Sequence, residues 1–81
     1  MYYLYILYSE TLNKYYVGST QNIENRIQEH LYNHRGFTSK VKDWKLVYTE
    51  EYQTREEAYA RERQIKRWKS RVKIEQLVKG S

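Results

Sequence analysis

The chain has 81 residues, with 15 Lys and Arg against 10 Asp and Glu and a formal net charge of +5 at pH 7. Its length predicts one domain, residues 1–81, and its lack of Cys excludes disulfides and cysteine-based zinc sites and suits a reducing, cytoplasmic setting. No apolar run approaches the roughly 20 residues that span a bilayer, and the first residues lack the order of a signal peptide.

Two short runs rich in Tyr predict a hairpin at the start of the chain. Residues 2–8 form a nearly continuous run of β-preferring residues, which is typical of a strand buried on both faces. Residues 9–14 are polar and predict a turn, after which residues 15–19 return as an antiparallel strand. Gly18 indicates either a positive φ or the close approach of another group to the backbone.

A helix and a third strand follow the hairpin. Thr20 or Asn22 can cap a helix whose apolar residues recur every four positions and which ends near Gly36. From Trp44, apolar residues alternate with polar ones, which predicts a strand to about residue 52.

Two helices complete the chain. Residues 54–57 match a capping box, which predicts a helix to about residue 69, and Ser70 can cap a last helix. The order β-β-α-β-α-α predicts an α+β fold in which helices flank a small three-stranded antiparallel sheet.

Arg26 and His30 are four residues apart and therefore lie on one face of the first helix, at the border of its apolar stripe. Both side chains would then point toward groups that the sheet presents. The residues alone leave open a simpler reading, in which Arg26 pairs with Glu24 or Glu29 at the surface.

Glu62 falls on the apolar stripe of the penultimate helix, four residues after Ala58 and three before Ile65. Because Glu is rarely buried without a partner, it pairs with a cation, binds a metal or lines a cleft. A salt bridge to Arg26 is one alternative. Mg²⁺ is another, since it uses one or two carboxylates with waters and phosphate oxygens.

Taken together, Tyr5, Tyr16, Arg26, His30 and Glu62 suit phosphodiester hydrolysis. In that reaction a water loses a proton, a metal neutralises the phosphate, and a cation stabilises the added charge. A free phenol titrates near pH ~10, so a Tyr acts as the base only where a neighbouring cation or metal lowers its pKa.

Basic residues are concentrated toward the end of the chain. Charges balance over residues 1–54, whereas residues 55–81 carry the whole positive excess. A one-sided basic region indicates a polyanionic partner, most often nucleic acid, although a solvated helix face would have the same composition.

The chain resembles the GIY-YIG nuclease superfamily over about residues 2–77. It is most similar to the small, stand-alone bacterial members of the UPF0213 type, which are related to the N-terminal domain of the excision-repair incision subunit. Tyr3-Leu4-Tyr5 stands in the place of Gly-Ile-Tyr, and Tyr16-Val17-Gly18 in the place of Tyr-Ile-Gly. The remaining matching residues are Ser19, Thr20, Arg26, His30, Arg61, Glu62, Ile65 and Lys66.

The resemblance implies a metal-dependent DNA endonuclease of low sequence specificity, acting in repair or on branched or damaged DNA. Tyr16, more than Tyr5, would take the proton from the attacking water, and Arg26 would stabilise the phosphate. His30 would position or shuttle a proton, and Glu62 would hold a single Mg²⁺ or Mn²⁺. Without an added recognition domain, basic residues would hold the DNA backbone with little sequence readout: Lys40, Arg61, Arg63, Lys66, Arg67, Lys69, Arg71 and Lys73.

Two alternatives stay open. Several nucleases of the family use a late Asn, and this chain has none after Asn33, which favours a nucleic-acid-binding module with the nuclease fold and little or no catalytic activity. The other alternative is an interaction domain in which Trp44, Trp68 and tyrosines form a patch for a partner protein.

Overall fold

The computed structural model describes residues 1–32 and 43–80, with the side chains of residues 29–32 outside that description. The predicted order β-β-α-β-α-α is confirmed, and with it the α+β class. The elements are β1 (Tyr2–Ser9), β2 (Lys14–Thr20), α1 (Ile23–Tyr32), β3 (Lys45–Tyr52), α2 (Arg55–Arg67) and α3 (Arg71–Lys79). The helix end predicted near Gly36 lies outside the described residues.

The three strands form one antiparallel sheet in the order β2-β1-β3, so β1 is central, as its apolar run predicts. In the β1–β2 ladder, Tyr5 is opposite Gly18. The β1–β3 ladder shifts register after Ile6, which lies opposite Tyr48, whereas the next residue lies opposite Leu46. This irregularity places Leu46 and Tyr48 on opposite faces, so the apolar alternation of β3 does not continue along a single face.

Alternate side chains of β1 are buried on opposite faces of the sheet. Leu4 and Ile6 pack with Ile65 of α2, whereas Tyr5 and Leu7 pack on the side of α1. All five side chains are at most 2% exposed. Each such burial contributes about 1.5–3 kcal/mol, so the central strand anchors helices on both faces.

Hydroxyl caps set the starts of the last two helices. The Thr54 hydroxyl accepts a bond from the Glu57 backbone N–H (3.2 Å) and donates to its carboxylate (3.0 Å). Ser70 accepts from the backbone N–H of Lys73 at 3.4 Å. The helix predicted to reach residue 69 ends at Arg67, and Lys69 has a φ of 50°, in the left-handed region. That conformation breaks the helix and lets Ser70 start the next one.

Asp43 joins the start of β3 to the turn after β1. Its Oδ1 accepts from the Ser9 hydroxyl at 2.6 Å, and its Oδ2 accepts from the backbone N–H and the hydroxyl of Thr11, each at 2.9 Å. The Ser9 hydrogen bond, followed by those from Thr11, lowers the pKa of Asp43 to about 2. Within the described ranges, no helix combines the length and the apolar character needed to cross a membrane.

Candidate active site

Tyr5 lies directly over Gly18. A methyl group at position 18 would lie 2.5 Å from the Tyr5 hydroxyl oxygen and 2.6 Å from its Cζ. Both distances are far below the roughly 3.5–4.0 Å of a van der Waals contact between carbon atoms. Gly18 does not have a positive φ, so of its two predicted purposes the close approach of another group is confirmed.

Tyr16 is the neighbour of Tyr5 on the face of the sheet that packs against α1. The two ring centroids are 6.4 Å apart with an interplanar angle of 30°, and Trp44 meets the Tyr16 ring edge-on with its centroid at 6.3 Å. These distances fall within the range of favourable aromatic pairs. The two motif tyrosines therefore form one aromatic group beside the edge strand β2.

Arg26 is placed by the N-terminal cap of α1. The Asn22 side chain accepts from the backbone N–H of Asn25 at 3.0 Å, and the Asn22 carbonyl accepts from the backbone N–H of Arg26 at 3.1 Å. Asn22 is thus the cap, and Thr20 exchanges two hydrogen bonds with the backbone of Asn22, at 3.1 and 3.2 Å. This turn holds Arg26 in the first turn of α1, beside the end of β2.

Glu62 reaches the end of β2 from α2. The Ser19 hydroxyl donates to its Oε1 and the Lys66 ammonium to its Oε2, both at 2.7 Å. The Glu62 side chain is 14% exposed, whereas that of Lys66 is 51% exposed. The cation that pairs with Glu62 is therefore one helical turn away and exposed, and such pairs contribute only about 0.3–0.5 kcal/mol.

One cleft of about 700 Å³ at the end of β2 brings Arg26 and Glu62 together, whereas neither Tyr5 nor Tyr16 lines it. Arg26 enters it from α1 and Glu62 from α2, and Ser19 lies between them on the sheet. Arg26 is exposed and the Glu62 side chain is only 14% exposed, whereas the sequence predicted no functional role for most of the other lining residues. Those are Tyr2, Gln21, Asn22, Arg55, Glu56 and Tyr59.

A second cleft of about 400 Å³ borders β2 on the side of α2 and α3. Tyr16 lines it, together with the predicted backbone-binding residues Lys66, Lys69 and Arg71. Lys66 also pairs with Glu62, which lines the first cleft. The two clefts are therefore linked by this ion pair along the outer edge of β2.

Arg61 lies on the other side of α2 and contacts β3. Its Nε donates to Glu50 Oε1 at 3.0 Å and its Nη2 to Oε2 at 3.2 Å, and the guanidinium lies 5.5 Å from the centroid of Trp68. Tyr48 and Tyr52 donate their hydroxyls to the same carboxylate. Burial alone would raise the pKa of Glu50, but these hydrogen bonds, led by that of Arg61, hold it below its usual value.

The other predicted basic residues have varied surroundings. Arg71 donates to the Asn13 carbonyl at 2.6 Å and to Glu75 at 2.7 Å, so it ties α3 to the β1–β2 turn. Lys73 lies 6.0 Å from the centroid of the Trp68 ring. Arg67 is exposed.

Two predicted site residues lie wholly or partly outside the described part. The backbone of His30 belongs to α1, one turn after Arg26, and its side chain is outside the described residues, as is Lys40.

The donor chemistry around Glu62 fits a hard divalent cation. A half-buried carboxylate beside the Ser19 hydroxyl offers oxygen ligands at a cleft that admits water and phosphate oxygens. Within residues 1–32 and 43–80 there is no group of three or more His, Cys, Asp or Glu arranged as metal ligands. Glu62 is the carboxylate of this cleft that the sequence predicts as the ligand of Mg²⁺ or Mn²⁺, and a bound cation would replace its contact with Lys66.

Comparison with known proteins supports the resemblance. The model of the GIY-YIG catalytic domain matches residues 1–75. The solution NMR structure of a UPF0213 protein from Bacillus halodurans is 33% identical, with a TM-score of 0.60 over 98% of this chain and 84% of that one. No curated protein matches the chain significantly. The chain belongs to the GIY-YIG family, which implies a nuclease-type function on nucleic acid.

Proposed function

We propose that the chain is a metal-dependent DNA endonuclease with little sequence preference, acting in repair or on branched, flapped or damaged DNA. The observation that carries this proposal is the meeting of Arg26 and Glu62 in one cleft at the end of β2. A cation and an oxygen ligand for a metal, supplied by two different helices, are the groups that phosphodiester hydrolysis requires. We take residues 1–81 as one nuclease domain and the cytoplasm as its compartment.

Each residue then has a defined task. Tyr16 accepts the proton of the attacking water, and the Tyr5 ring fixes the position of the aromatic pair. Arg26 binds the non-bridging oxygens of the scissile phosphate and stabilises the charge that accumulates there. His30 follows Arg26 by one turn and positions or shuttles a proton. Ser19 orients Glu62 through its 2.7 Å hydrogen bond.

Glu62 would hold the metal, which when bound would supply positive charge to neutralise the phosphate and to make the attacking water more acidic. Glu62 is well placed to hold it because one carboxylate oxygen already accepts from Ser19, which restricts the rotation of the side chain. The exposed ammonium of Lys66 screens the other oxygen until a cation replaces it.

The DNA backbone crosses the outer edge of β2. Lys14, Lys66, Lys69 and Arg71 line the second cleft, so a strand whose phosphate lies near Arg26 continues over basic side chains. Contacts of this kind bind any sequence, and they weaken as the salt concentration rises because the release of counterions from the DNA then becomes less favourable.

The test is cleavage of supercoiled plasmid and of a branched oligonucleotide in Mg²⁺ and in Mn²⁺. We expect Glu62→Gln to abolish cleavage while DNA binding is retained. Glu56→Gln is the matched control because Glu56 is an acidic residue of the same helix that lines the same cleft. Tyr16→Phe should also lose cleavage, and the activity of the unaltered protein should rise toward alkaline pH.

The opposite outcome has a defined meaning. Salt-sensitive DNA binding without cleavage, in the unaltered protein as in Glu62→Gln, would assign the chain to the nucleic-acid-binding alternative. Equal cleavage by the unaltered protein and Glu62→Gln would remove Glu62 from the mechanism.

A further inference from the structure

Tyr59 is a large aromatic side chain at the mouth of the first cleft. It is 53% exposed, which makes it one of the large hydrophobic side chains that the described part of the structure leaves open to solvent. It lies on α2 and lines the cleft together with Glu62, Arg26 and Tyr2. The phosphodiester chemistry proposed above makes no use of this ring.

Tyr59 and the candidate metal ligand Glu62 are close together on α2. Tyr59 and Glu62 are three residues apart and therefore neighbours on one side of the helix. With a rise of about 1.5 Å per residue, their separation along the axis is about 4.5 Å. Successive nucleotides of one strand in a duplex rise by about 3.4 Å along the helix axis, and those of an extended unpaired strand lie farther apart, so a nucleotide adjacent to a phosphate at Glu62 would come within reach of the ring.

Arg63 reinforces the aromatic surface. Its guanidinium carbon lies 5.8 Å from the centroid of the Tyr59 ring, within the range of a cation–π contact. Tyr59 precedes Arg63 by one helical turn, and this contact restrains the orientation of its ring. Aromatic rings and guanidinium planes are the two kinds of protein surface on which unpaired bases stack.

The charges that line the first cleft cancel. Arg26 and Arg55 are balanced by Glu56 and Glu62. Attraction of phosphates by net charge is therefore weak within the cleft itself, in contrast to the second cleft. An exposed aromatic ring offers a stacking surface whose attraction for a base does not depend on net charge.

We propose that Tyr59, supported by Arg63, stacks the unpaired base of a nucleotide next to the scissile phosphate. The substrate is accordingly a DNA strand with at least one unpaired nucleotide at the cut, as in a single strand, a flap or a mismatch. Bases within an intact duplex are stacked on one another and reach a protein ring only after they leave the helix. The position assigned to the scissile phosphate rests on the proposed function.

The experiment uses oligonucleotides with 2-aminopurine, a base whose fluorescence is quenched by stacking. Binding to a single strand, a flap and a fully paired duplex is measured with the Glu62→Gln protein, so that cleavage does not interfere. Tyr59→Ala should weaken binding of the first two by about 5- to 150-fold and abolish the quenching, with little change for the duplex. Tyr59→Phe should retain both, because the ring remains.

Val72→Ala is the matched control, since Val72 is an apolar side chain on α3 that is 61% exposed. In the Glu62→Gln background, Val72→Ala should bind all three probes as tightly as the Glu62→Gln protein itself. Circular dichroism verifies that Tyr59→Ala is folded, which its exposure favours. The proposal is overturned if Tyr59→Ala binds the single strand and the flap, and quenches their 2-aminopurine fluorescence, to the same extent as the Glu62→Gln protein does.

Failure of stacking and failure of the proposed function give different results. Glu62-dependent cleavage that is indifferent to Tyr59→Ala, with unchanged quenching, removes the stacking role and leaves the nuclease. If the unaltered protein does not cleave DNA but the quenching still depends on Tyr59, the stacking role stands and the proposed nuclease function is rejected.

Discussion

Replacement of Gly18 by Ala tests how closely the sheet holds the Tyr5 phenol. The new methyl group would lie 2.5 Å from the Tyr5 hydroxyl oxygen, 2.6 Å from Cζ and 3.0 Å from Cε1. Restoring a contact of roughly 3.5 Å requires the ring to move by about 1 Å. Tyr5 is only 2% exposed and packs with Leu7 and Trp44, so the ring has no open space into which to move.

The expected loss of stability is moderate. Overpacking of a core costs about 1–3 kcal/mol, and Ala regains about 0.5–1 kcal/mol over Gly within a strand. From the midpoints of these ranges, the net effect of Gly18→Ala is a loss of about 1 kcal/mol, which lowers the Tm of a chain of this size by roughly 4–8 °C. A displacement of about 1 Å near the reacting groups lowers the cleavage rate by up to about 100-fold.

Urea unfolding followed by circular dichroism measures the stability, and plasmid relaxation measures the rate. Tyr5→Leu provides the control background, because Leu lacks the Cζ and hydroxyl atoms that meet the new methyl group. In that background Gly18→Ala should cost less than about 0.5 kcal/mol, so the two substitutions are coupled. A Gly18→Ala protein that is as stable as the unaltered chain, or more stable, would refute the reasoning.

Three further predictions concern pH and the left-handed residue. Burial and hydrogen bonds to Glu50 raise the pKa of Tyr48 and of Tyr52 from 10.0 to about 12, so their contribution to stability is complete below pH 10.0 and is lost as the pH rises through about 12. The urea midpoint should fall across that range, and less steeply in Glu50→Gln. Hydrogen bonds lower the pKa of Asp43 from 3.8 to about 2. The stability that Asp43 contributes is therefore present above pH 3.8 and is lost as the pH falls toward about 2. Asp43→Asn should remove this part of the acid unfolding transition measured by circular dichroism. Lys69→Gly should raise the unfolding free energy by roughly 1 kcal/mol, because Lys69 has a φ of 50° and Gly adopts this conformation without strain. It should also lower the slope of log affinity for DNA against log salt concentration by about 0.9, whereas Lys69→Ala should change only that slope. A glycine variant that is less stable than the unaltered chain would contradict the stability prediction.

Local patterns in the sequence predicted the elements and their order. The continuous apolar run of residues 2–8 predicts a strand that is buried on both faces, and Leu4, Ile6 and Leu7 of β1 are fully buried. The Thr54 cap and the Ser70 cap need only a hydroxyl at the right position, so the starts of α2 and α3 could be predicted. These features depend on periodicities and contacts within a few residues, which a single sequence displays directly.

The purpose of Gly18 and the partners of Glu62 could not be predicted in the same way. The sequence left two explanations for Gly18, and the pairing of β1 with β2 decided between them by placing Tyr5 opposite it. The exposed Lys66 and the distant Ser19 share the Glu62 carboxylate. Ser19 precedes Glu62 by 43 residues, so the packing of α2 on the sheet alone brings them together.

The sequence by itself therefore determined the α+β order, the caps of α2 and α3, and the family, and it predicted Arg26 at the border of the apolar stripe of α1 and Glu62 on that of α2. Only the tertiary structure decided which basic residues face a cleft. Arg61 and Lys66 are five residues apart on α2, so they lie at different angles around the helix. Arg61 forms an ion pair with Glu50 on β3, whereas Lys66 lines the cleft that borders β2. Composition counts both as positive charge, but only packing on the sheet assigns them to opposite sides.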